Sequence, residues 1–196
     1  MTRLVIEPLG LHWLYTEEQG ADLCAHAGVK VSRGDRIFVD TGPAGHAVSM
    51  GALHLLRTLE RDFSNEGEWK RQLIPCCGHA LVLDEKSGEV VNIGCSNGVG
   101  WHVRHQPDSF ALQFENGDAI EVNGGEWRGA VASFSKQVRA FYFSEPRRAP
   151  EDAYDLAAFR AFVSEWDQRH NAALVWCANE NRRSNPAVFF SKCRDA

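Results

Sequence analysis

Hydrophobic and polar positions along this 196-residue chain change period several times, and each change marks an expected element. Leu4-Val5-Ile6 predicts a short strand, whereas Leu11 to Tyr15 is apolar but too short to assign. Between residues 22 and 40, Val29 and Val31 alternate with polar neighbours, Ser32-Arg33-Gly34-Asp35 supplies turn chemistry, and Ile37-Phe38-Val39 resumes. That pattern predicts a hairpin turning at Gly34. Glycine and proline at 42, 43 and 45 interrupt the pattern, and Ser49 then stands where a helix N-cap belongs. Leu53, Leu56, Leu59 and Phe63 recur at three- and four-residue steps, predicting an amphipathic helix of about four turns. Its stripe covers a sheet, and Arg57, Glu60 and Arg61 face solvent.

The densest patterning lies in residues 74–142. Five short apolar runs, at 80–83, 90–93, 101–105, 110–114 and 119–122, are joined by turn-forming residues that include Asn97-Gly98 and Asn116-Gly117. They predict an antiparallel meander. Trp127, Val131, Phe134, Val138 and Phe141 then step by four, three, four and three, the clearest helical stripe in the chain. A further helix starts near Glu151-Asp152 with Leu156, Phe159, Phe162, Val163 and Trp166 on its apolar face. Beyond His170, residues 172–177 could continue that helix, 179–185 are turn-like, and Val188-Phe189-Phe190 suggests a strand. The expected architecture is a single α+β domain, 1–196, with helices on one face of the sheet and 171–196 as a docked C-terminal tail.

Composition narrows the function classes. A net charge of −5 without a basic stripe argues against nucleic-acid binding. No window approaches the ~20 apolar residues of a membrane span. The apolar run at the N-terminus is cut short by Glu7 and Pro8, unlike a secretory signal. With no such signal, the six cysteines are expected as free thiols in a cytoplasmic protein.

Three kinds of chemistry are open to the polar residues. The first is zinc, because Cys76, Cys77, His79, Cys95, His102 and His105 lie within one stretch and are usual zinc ligands. Alternation along a strand sends His102 and His105 to opposite faces, so the consistent subset is Cys77, His79, Cys95 and His102. Buried apolar cysteines beside a hydrogen-bonded histidine would give the same string. The second is a nucleophilic thiol at Cys76 or Cys77 activated by His79, although no acid to orient that histidine can be identified. No nucleophile elbow, phosphate-binding glycine loop or H-E-x-x-H helix occurs, and no catalytic residue is assigned. The third is a protein-binding face. Glu115, Asp118 and Glu121 surround the Asn116-Gly117 turn and Glu126 opens the next helix, so carboxylates gather near one sheet edge. Such a patch attracts basic partners and speeds their association. Turns and helix starts are also simply polar.

The segment Leu83-Asp84-Glu85-Lys86-Ser87-Gly88-Glu89-Val90-Val91, followed by Asn116-Gly117-Asp118 and the helix from Val131 to Tyr142, resembles the second half of SUKH-type immunity proteins. The likeness covers about a third of the chain, and the helix-rich first half and glycine motif of that family are missing. No toxin-contact residue carries over. The resemblance implies a small bacterial protein, without a cofactor, that neutralises a toxin by direct contact. The expected function is therefore an immunity-type binding protein with a basic toxin domain as its partner. A zinc- or thiol-dependent enzyme, or a small-ligand module, is the alternative.

Overall fold

A computed structural model describes residues 2–14, 22–43, 45–64, 72–76, 80–93, 95, 97–144, 150 and 153–184. Along the chain these form β1 (Leu4–His12), β2 (His26–Arg33), β3 (Arg36–Asp40), β4 (His46–Ala47), α1 (Val48–Arg57), β5 (Ala80–Leu83), β6 (Val90–Ile93), β7 (Trp101–His105), β8 (Ser109–Phe114), β9 (Ala119–Asn123), α2 (Gly124–Tyr142) and α3 (Ala153–Ser184). The class is α+β with antiparallel pairing throughout.

The sheets divide differently from the expected five-strand meander. β1, β2 and β3 lie in that order with β4 also on β2, β5 and β6 form a separate ribbon, and β7, β8 and β9 form a three-stranded sheet. The predicted hairpin at Gly34 and the one at Asn116-Gly117 both form, with glycine φ of 61° and 86°. Such left-handed angles are easy only for a residue without Cβ. Asn97-Gly98 does not turn a hairpin. Val99 instead pairs with Ile74 through two backbone bonds of 2.8 and 2.9 Å. A Cβ on Gly98 would fall 2.6 Å from the Ile74 carbonyl oxygen, so the glycine permits close approach.

α2 is the central helix, packed on β1, β8, β9, α1 and α3. Its N-cap is Asn123, whose side-chain oxygen accepts from the Glu126 amide at 2.8 Å. The stripe Trp127, Val131, Phe134 and Val138 is fully buried, at roughly 1.5–3 kcal/mol for each large side chain. Tyr142 completes the stripe, while Phe141 is half-buried. The Phe38 and Phe114 rings stack at 4.8 Å and join the first sheet to the third. Trp101 is core, its ring 5.8 Å from Phe114. Among the described residues no helix is long and apolar enough to cross a membrane.

α1 is shorter than its stripe predicted. It starts after Ala47 without a side-chain cap, and Ser49 lies inside the first turn, its Oγ accepting from the Ala25 amide at 3.1 Å. The helix ends at Arg57, so Leu59 and Phe63 lie beyond it and Phe63 bridges to Val103 as a strand residue. Arg57 is buried rather than solvated. Its guanidinium donates to both oxygens of Glu165 on α3, at 2.9 and 2.6 Å, and to the Val90 carbonyl at 3.0 Å. Arg169 donates to Glu165 and to Glu60, and Arg61 to Glu89; Glu60 and Arg61 are exposed as expected, and their ion pairs link the turn after α1 to α3 and to the turn before β6. α3 continues to Ser184 through the region expected to turn. Residues 188–190 lie outside those described.

Candidate functional site

The pleat of β7, β8 and β9 sorts their side chains to two faces. Trp101, Val103, Phe110, Leu112, Phe114 and Val122 point into the core. The alternate residues form two cross-strand rows on the other face, Arg104–Ala111–Glu121 and His102–Gln113–Ala119. An open groove of about 300 Å³ runs across this face, with small alanines beside long polar side chains. A cation stands at one wall, on β7, and a carboxylate at the other, on β9.

The two walls differ in how their charges are held. Glu121 has its Oε1 2.5 Å from the Ser109 hydroxyl, and its backbone carbonyl accepts from Arg33 at 3.4 Å. Arg104 is exposed and makes no ion pair among the described residues. His102 places Nδ1 3.3 Å from the Ser64 hydroxyl. An exposed guanidinium opposite a carboxylate, over a floor of alanines, suits a protein segment carrying the complementary charges.

The four carboxylates read from the sequence do not act as one patch. Asp118 sits on the rim in an ion pair with Arg36 at 2.5 Å, a side chain itself 56% exposed. Glu115 is exposed at the β8–β9 turn, whereas Glu121 is exposed further along β9, opposite Ala111 and bonded to Ser109. Glu126 is a correction to that set. Its side chain is 7% exposed, one oxygen accepts from the Leu4 amide at 2.7 Å and the other from Arg33 at 3.0 Å. It ties α2 to the first sheet and offers nothing to a partner.

No family model, curated protein or solved structure matches the chain. The site therefore rests on its own geometry.

The proposed zinc ligands are only partly placed. Cys77 and His79 lie outside the described residues. The Cys95 carbonyl accepts from Gln72 Nε2 at 2.9 Å, and the same amide's oxygen accepts from the Cys76 backbone at 3.3 Å, so Gln72 holds these two segments together. His102 faces the groove, while His105 points inward to the Thr58 carbonyl at 2.9 Å, as strand alternation requires. Among the described residues no three His, Cys, Asp or Glu side chains are arranged to hold an ion.

Sequence reasoning missed two groups. Arg104 was within the polar run around His102, and the outward position that alternation gives it was the available signal. The other is a group of imidazoles on adjoining strands, half-buried His12 and buried His26 and His46, with Asp22 near His26. Their spacings of fourteen and twenty residues follow no local period, so nothing in the linear pattern joined them.

Proposed function

We propose that the chain is a non-enzymatic, cytoplasmic binding protein of the immunity type, which neutralises a toxin by direct protein–protein contact on the outer face of β7, β8 and β9. The observation that supports this most is the groove with Arg104 and Glu121 on opposite walls and alanines between them. The partner is a toxin domain presenting a basic group to Glu121 and the nearby Glu115 and Asp118, and a carboxylate to Arg104. Opposite charges on two walls also select the direction in which a partner can lie, because reversing it sets like charges together. No small-molecule chemistry is needed for such a role.

Co-expression with the product of an adjacent toxin reading frame, followed by titration calorimetry on the purified pair, tests the reading. Arg104→Glu and Glu121→Arg are each expected to weaken binding by about tenfold or more, within the ~1–3 kcal/mol usual for useful interface charges. Reversal of Glu115, Asp118 and Glu121 together should slow association at low salt and reduce rescue of growth. Unchanged affinity and rescue in Arg104→Glu and in the triple reversal would remove this face from the function.

A further inference from the structure

The imidazoles of His12, His26 and His46 come from three strands that meet at one corner. His12 pairs across β1 and β2 with His26, His26 pairs with Ala47, and Ala27 pairs with His46. The His12 and His26 ring centroids are 6.2 Å apart. His26 is 1% exposed, and neither of its ring nitrogens has a hydrogen-bond partner among the described residues. His46, whose pairing with Ala27 sets it on the other face of β2 from His26, is 6% exposed, and its Nδ1 has no partner among the described residues. His12 is the anchored member, its Nδ1 2.8 Å from the Gly10 carbonyl.

Asp22 is the carboxylate of this corner. Its Oδ1 stands 3.8 Å from His26 Nε2, beyond hydrogen-bond reach. Both oxygens are already engaged, Oδ2 by the Leu14 amide at 2.7 Å and Oδ1 by the Cys24 amide at 3.2 Å. From the helices come two hydroxyls rather than charges: Tyr142 donates to the Leu23 carbonyl at 2.8 Å, and Ser49 accepts from the Ala25 amide. Among the described residues the charged and titratable groups acting on His26 are therefore Asp22, His12 and His46. Burial is the strongest influence and drives the His26 pKa down to about 4; Asp22 opposes the shift, while His12 and His46 add to it. Burial pushes His46 down too.

Although Ala25, Ala27 and Ala47 are fully buried, few cross-strand pairs hold β4. β4 is two residues long and meets β2 at two positions. Its other tie is the Ala47 amide, donating to the Pro75 carbonyl at 2.8 Å. The register of β1 on β2 breaks between Leu9 and His12, just before the corner. An added proton on His26 would put a cation in a buried site with the His12 ring 6.2 Å away and a counter-charge that is already bonded elsewhere. That is a large local cost set against the two paired positions that hold β4 on β2.

We propose that His26, packed against His12 where β1, β2 and β4 meet, is a proton-operated latch, which clamps β4 and the end of β1 onto β2 while its imidazole is neutral and lets this corner open on acidification before the rest of the fold. The movement has an outlet. Trp13, next to His12, packs 5.4 Å from both Phe141 and Tyr142, so release of the β1 end uncovers the C-terminal turn of α2. The latch is independent of the groove on β7, β8 and β9.

Amide hydrogen exchange between pH 7.5 and 5, expressed as protection factors, tests the latch. With opening that restores an ordinary histidine pKa of 6.5, protection at residues 11–14, 26–28 and 46–49 should fall roughly 30-fold over this span. The same fall is expected in His54→Gln, whose altered residue lies on α1 away from the corner. In His26→Gln the corner should lose most of its pH dependence. The latch is wrong if corner amides show the same protection as β8 amides at every pH, which means global unfolding alone, or if His26→Gln keeps the wild-type slope. Should that variant not fold, NMR titration of the His26 ring in the wild type decides the matter. A ring that stays neutral down to pH 5 in the native state supports the latch, and one that titrates near pH 6.5 overturns it.

Discussion

Glu165→Ala is expected to destabilise the protein by about 3–5 kcal/mol, the usual loss when one member of a buried ion pair is removed. Arg57 makes this case strong because its side chain is 7% exposed and donates twice to that carboxylate. Taking away Glu165 leaves the guanidinium with the Val90 carbonyl as its one hydrogen-bond partner among the described residues. Arg169 loses a partner at 2.8 Å in the same step, though it keeps Glu60 at 2.6 Å near the surface. Burial opposes ionisation of Glu165, and the bonds from Arg57 and Arg169 outweigh it, holding the carboxyl below its ordinary pKa. The neutral Glu165→Gln should fall between the wild type and alanine, since it retains an acceptor. The double variant Arg57→Met with Glu165→Leu removes both charges, and replacement of a buried pair by apolar side chains is commonly neutral or better. Urea unfolding at pH 7 measures all three. A Glu165→Ala loss below about 1 kcal/mol would mean that the pair behaves like an exposed one.

The same pair shows what a single sequence hides. Arg57 and Glu165 are 108 positions apart, and each sits among polar neighbours on an amphipathic helix, where a solvated face is the ordinary expectation. Only the packing of α1 against α3 turns those positions inward. Glu126 is the same error on a smaller scale. Acids suit a helix start, and its helix position was correct, but the Arg33 and Leu4 groups that consume it come from the first sheet. What was legible depends on short-range period. The α2 stripe, the α3 apolar face and the glycine turns at 34 and 117 are local, and each formed as expected. The Asn97-Gly98 hairpin failed because Val99 found its partner at Ile74, 25 residues upstream rather than in the adjoining run. Of the proposed surface, the acids Glu115, Asp118 and Glu121 could be named from the sequence, though not their register. The groove was not, because it needs three strands in register before Arg104 and Glu121 face one another across Ala111.

Acidification is the second large effect expected, and its sign follows from the buried His26 and the half-buried His54. Burial, aided by the Arg57 guanidinium, holds His54 at about 4, against the pull of the Leu73 and Gln72 carbonyls 3.2 and 3.1 Å from its Nδ1 and of Glu165. His26 is held at about 4 as well. In the unfolded chain both return to 6.5, so between pH 6.5 and 4 the unfolded state binds more protons and stability falls as pH falls. Each group contributes fully above 6.5 and has lost its share, about 3 kcal/mol, once pH drops through 4. The joint loss of about 6 kcal/mol is comparable with the whole stability of many domains. His46 and His170, lowered chiefly by burial, act in the same direction. Unfolding free energies from urea titrations at pH 7.5, 6, 5 and 4.5 should show a slope approaching about 2.7 kcal/mol per pH unit below pH 6, twice the value for one group. His54→Gln should halve that slope whatever it does to stability at pH 7.5, since the glutamine cannot take up the proton. A wild-type curve that stays flat from pH 7.5 to 5 would show that neither imidazole is kept neutral by the fold. The two titrations remain separable because His54 lies between α1 and residues 72–73, whereas His26 lies at the corner of β1, β2 and β4. Loss of the His54 contribution acts on the global transition, and loss of the His26 contribution acts first on the corner that it closes.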